Sequence, residues 1–139
     1  MRPLTDIGAD LNRPLDDAQG AAQARQLLTL GEEVLEHWVA ARGLEPTADE
    51  REGFRLLALH RQGVKGAPSF NACRETCREL AYHYNLIRSD ADHPELPKRL
   101  ELMRLVAMHL YLFVTGKMQV EGLGDFCCAS KPLRLAETN

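Results

Sequence analysis

The chain has 139 residues, of which 45% are hydrophobic and 27% charged, and its formal net charge is -3 at pH 7. A single domain of this length buries roughly two-thirds of its unfolded surface, so it needs neither disulfides nor a structural metal to fold. The balance argues against disorder along most of the chain, and the charge is too small to imply a nucleic-acid or membrane partner.

In chain order, residues 1–15 carry Pro3, Gly8 and Pro14 among scattered charges and read as an irregular arm. Asp16 or Asp17 caps a first helix that runs to about Ala41. Its apolar positions, Ala24, Leu27, Leu28, Gly31, Val34, Leu35, Trp38 and Val39, form one stripe. Gly43 stops it from the C′ side. Thr47 followed by Glu50 has the spacing of a capping box, which predicts a second helix to about Gln62. That helix would bury Phe54, Leu57 and Ala58, with Leu56 and Leu59 on the flanks. Gly63 to Pro68 reads as a loop.

A third helix is expected from Ser69 to Arg88, with Phe70, Cys73, Cys77, Leu80, Tyr84 and Ile87 on an a/d seam and Glu75 paired with Arg78. The fourth starts near Pro94 to Pro97 and runs to Thr115, with Gly116 ending it. It is apolar nearly all round, so it is either central or covered by a partner. Residues 117–139 show no helical period. The expected fold is all-α: an antiparallel bundle of about four helices over 16–116, flanked by the arm and by a C-terminal tail at 117–139.

The longest apolar run, Leu105 to Val114, is broken by His109, and a membrane span needs about 20 such residues. The opening residues Met1 to Asp6 lack the apolar core of a signal peptide. A cytoplasmic location with reduced thiols is the expectation. Thirteen arginines against four lysines, with abundant Ala and Leu, fit a high-GC bacterial coding bias.

Chemistry is sparsely signalled. Cys73 and Cys77 share one helix face, and Cys127 and Cys128 are adjacent in the tail. Convergence of all four would suit zinc or an iron–sulfur cluster, although the spacing matches no established signature. The plainer reading makes Cys73 and Cys77 small core residues. Lys131 near Cys127 and Cys128 could lower a thiol pKa. His83 and His109 would hold a metal or haem only if their helices face each other. Glu33 and His37 stand four apart rather than three, so the di-iron pattern fails. Tyr82, His83, Tyr84 and Cys128 are the only hints of acid–base or thiol catalysis. Arg55, Arg61 and Lys65 make a basic patch too small for nucleic acid.

The leading functional expectation is a non-catalytic binding or regulatory module without a cofactor. It would dock on a protein partner, or form a homo-oligomer, through Leu112, Phe113, Val120, Leu123 and Phe126. The alternative is a metal- or redox-cofactor-binding bundle built on Cys73, Cys77, Cys127 and Cys128.

Overall fold

The computed structural model describes residues 1–123. Among them are five α-helices: α1 (Leu4–Leu11), α2 (Gly20–Ala41), α3 (Arg55–Val64), α4 (Arg74–Ser89) and α5 (Leu96–Val120). Short 3-10 turns precede α2 at Asp17–Gln19 and α4 at Pro68–Cys73. The fold is all-α, with one more helix than the sequence pattern suggested. No helix among the described residues is long and apolar enough to cross a membrane.

Helix α2 packs against all four other helices. Its stripe from Ala24 to Val39 is buried as the periodicity requires. Asp16 accepts a hydrogen bond from the Ala18 amide at 3.0 Å, which caps the 3-10 turn leading into α2. Gly43, at φ 79°, follows the C-terminal end of α2.

The expected irregular arm instead contains α1, with Ile7 and Leu11 in the core one turn apart. Arg2 pairs with Asp10 at 2.6 Å and Glu33 at 2.9 Å, and His37 donates from Nε2 to the Arg2 carbonyl at 2.6 Å. Arg104 donates to the Leu11 carbonyl at 3.2 Å, tying the end of α1 to α5. Gly8 lies against Tyr111, where a Cβ would fall 2.6 Å from the phenol oxygen. The residue that looked like a helix breaker is a point of close approach.

The predicted capping box does not form. Thr47 Oγ1 accepts from the Asp49 amide at 3.0 Å, a local turn, and α3 begins eight residues later at Arg55. A bridge between Arg51 and Phe54 encloses Glu52 and Gly53, both at positive φ (55° and 84°). The buried face of α3 is therefore Leu56, Leu57, Leu59, His60 and Gly63, while Phe54 and Ala58 are half-buried. Gly63 belongs to the helix rather than to a loop. Its carbonyl accepts from Trp38 Nε1 at 2.9 Å, and the Trp38 ring stacks on Phe70 at 4.4 Å and 2°.

The a/d seam of α4 and its preceding turn is buried throughout: Phe70, Cys73, Cys77, Leu80, Tyr84 and Ile87. The expected Glu75–Arg78 pair is replaced by Arg74–Glu75 at 2.6 Å and by Arg78 gripping Glu52 with two 3.0 Å hydrogen bonds. Helix α5 continues through the half-buried Gly116 to Val120, because a glycine costs only about 1 kcal/mol in a helix. The central helix is α2, not this apolar one.

Candidate functional site

On α5, Leu100, Met103, Ala107, Leu110, Val114 and Met118 are buried. Their steps of three and four face α2 and α4. A second series, Leu102, Leu105, His109 and Leu112, repeats with steps of 3, 4 and 3 on the opposite side of the same helix. Leu102 is 44% exposed, Leu105 50% and Leu112 60%, and Val120 further along is 84% exposed. His109 is exposed between them. From Leu102 to Val120 the helix carries only two charged residues, Arg104 and Lys117. Both turn to the flanks, Arg104 toward Glu101 and Leu11, and Lys117 toward Ser69 and Glu121. The outer seam is thus apolar and uncharged apart from His109.

A groove of ≈ 550 Å³ runs beside this seam, between α4 and α5. Thr76, Glu79 and His83 form one wall, and Leu102, Leu105, Val106 and His109 the other. His83 Nδ1 is buried with no hydrogen-bond partner among the described residues, and burial lowers the His83 pKa against the opposing pull of Glu79. The structure does bring His83 and His109 to one groove. No group of three or more His, Cys, Asp or Glu side chains among the described residues is arranged to hold a metal ion.

Of the expected contact residues, Leu112 and Val120 are exposed. Phe113 is half-buried, with its ring 5.9 Å from Phe70. Leu123 is half-buried against the core, and its amide donates to the Met118 carbonyl at 2.8 Å. Phe126 lies outside the described residues. Leu102, Leu105 and His109 were not among the expected contact residues, although their 3-4-3 spacing with Leu112 is legible in the sequence.

Cys73 and Cys77 are free, buried thiols of the inner seam. Cys73 Sγ donates to the Phe70 carbonyl at 3.2 Å. The hydrogen bond shared by the two sulfurs lowers the Cys73 pKa, with His60 adding to the effect against burial, and the same bond together with burial raises Cys77 well above its usual range. This is a packed dithiol beside an imidazole. Cys127 and Cys128 lie outside the described residues. Tyr82 is exposed, meeting the edge of His83 at 5.5 Å, whereas Tyr84 is buried against Phe54. The two tyrosines therefore do not share a cleft. No family model, curated protein or solved structure matches the chain.

Proposed function

We propose that this protein is a non-catalytic helical docking module whose contact surface is the outer seam of α5. The observation that carries this reading is the uncharged Leu102–Leu105–His109–Leu112 repeat, exposed on the side of α5 opposite its buried seam. A 3-4-3 repeat of large side chains spanning about 15 Å suits a helix laid alongside, knobs into holes. Burying the exposed part of each leucine contributes on the order of 1 kcal/mol.

The simplest occupant is α5 of a second copy, running antiparallel about a two-fold axis at Ala107. That register sets Leu102 against the partner copy's Leu112, and Leu105 against the partner copy's His109. The repeat is symmetric about Ala107, as an isologous interface requires. Val120 extends the exposed apolar surface further along α5.

Sedimentation of the full chain across a wide concentration range tests this. The expected result is a monomer–dimer equilibrium abolished by Leu105→Asp, with the helical content retained. A strictly monomeric protein whose melting temperature falls on Leu105→Asp would show instead that the chain covers the seam itself, and would overturn the reading.

A further inference from the structure

Away from α5, a pocket of ≈ 310 Å³ opens between α3, the 3-10 turn before α4, and the first turns of α4. Five cations line it: Arg51, Arg61, Lys65, Arg74 and Arg78. The concentration is notable in a chain of net charge -3. Two of the three residues the sequence grouped as basic stay together here, Arg61 and Lys65, while Arg55 turns away to Glu36 at 2.5 Å. Among the described residues only two carboxylates answer the five cations. Glu52 holds Arg78 at 3.0 Å and lies 4.0 Å from Arg51, and Glu75 holds Arg74 at 2.6 Å. The side chains of Arg61 and Lys65 have no ion-pair partner among the described residues.

The buried part of the lining is His60, 6% exposed, and Leu57, 7% exposed. The His60 ring stacks against Phe70 at 5.8 Å and lies beside the Cys73 thiol, and its buried Nε2 has no hydrogen-bond partner among the described residues. Leu57 and Val64 add an apolar wall, and Asn71 an amide. The volume lies at the lower end of the range for small-molecule sites, about 300–1,000 Å³.

We infer that this pocket binds a small phosphorylated organic molecule. Guanidinium groups recognise phosphate oxygens through paired N–H donors, and a lysine adds a point charge. Arg61 and Lys65 are available for the phosphate without breaking an existing ion pair. Leu57 and Val64 supply the surface on which a ring or sugar rests, with Asn71 to fix its polar edge. A pocket for inorganic phosphate alone would need neither the volume nor the apolar wall. The site is separate from the outer seam of α5, so the inference stands whether or not the chain self-associates.

Calorimetric titration of the full chain with adenosine 5′-monophosphate, ribose 5-phosphate, inorganic phosphate and unphosphorylated adenosine tests it. The phosphorylated organic molecules should bind, inorganic phosphate more weakly, and adenosine not at all. An Arg61→Ala, Lys65→Ala double variant should bind about a hundredfold more weakly or worse, since it removes two charge-assisted contacts, each contributing about tenfold or more. Its melting temperature should be unchanged, because neither side chain has an ion-pair partner among the described residues. Lys98→Ala, an exposed lysine on α5, should bind as the parent does. The inference is overturned if no phosphorylated molecule binds, or if adenosine binds equally well. It is also overturned if the double variant binds undiminished, or if an RNA oligonucleotide binds where the monophosphates do not.

Discussion

At Gly63 a side chain has no room. A Cβ there would lie 2.9 Å from both the Phe70 and Trp38 rings, whose stack closes one end of the core. Gly63→Ala should therefore cost about 1–3 kcal/mol through overpacking. Gly116→Ala, where nothing lies within 4 Å, should stabilise by about 0.5–1 kcal/mol through helix propensity. Denaturant midpoints of the two variants check the contrast, and equal shifts of one sign would refute it. His83 gives a prediction in pH. An unfolded imidazole titrates near about 6.5, and burial places the folded value lower. The unfolded chain then binds the proton more tightly, so stability present at neutral pH declines as pH falls through about 6.5 toward the folded value. The carboxylates that arginines hold low, Glu52 and Glu101, act in the same direction but only in the more acidic carboxylate range. Cys73, lowered to about 6, loses stability in the same direction over the same window, so urea stability at about pH 7 and pH 5 is compared between the parent and a His83 variant. His83→Gln should show the smaller decline, and an identical decline would reject the assignment.

On the scale of elements, α1 shows how a short helix can be integral. Eight residues do not sustain a helix in water on propensity alone, so α1 owes its stability to what it packs against. Ile7 and Leu11 supply the packing, and Arg2, His37 and Arg104 hold its ends. Ile7→Ala should cost about 2–5 kcal/mol, the range for a fully buried aliphatic side chain. A loss under about 1 kcal/mol by chemical denaturation would instead describe a loosely attached segment. The α3 region teaches the complementary point. Thr47 and Glu50 have the spacing of a capping box, but Thr47 also accepts locally from Asp49, and Gln62 binds the Thr47 amide at 2.9 Å from across the turn. A contact fifteen residues away decided where that helix starts.

For the molecule as a whole, the arrangement sorts its charges from its apolar surface. One side presents the uncharged seam of α5, and a separate pocket gathers five cations around His60. Self-association through the seam would make thermal stability depend on protein concentration, since the folded dimer is favoured by mass action. The melting temperature should rise with concentration in the parent chain and stay flat in Leu105→Asp. A flat response in both would remove the seam as a self-contact.

The linear pattern was enough to determine the all-α class, the buried stripe of α2 and the seam from Phe70 to Ile87, because helical periodicity is local and needs no partner to be read. It also held the outer series on α5, although an apolar helix read all round hides the division into two faces. Tertiary structure alone decided which face of α5 is covered, that Gly8 and Gly63 are contact points rather than breaks, and that His60 lies beside Cys73 and under a ring of cations. Each of these depends on residues distant in the chain meeting through packing, and no spacing between neighbours encodes such a meeting.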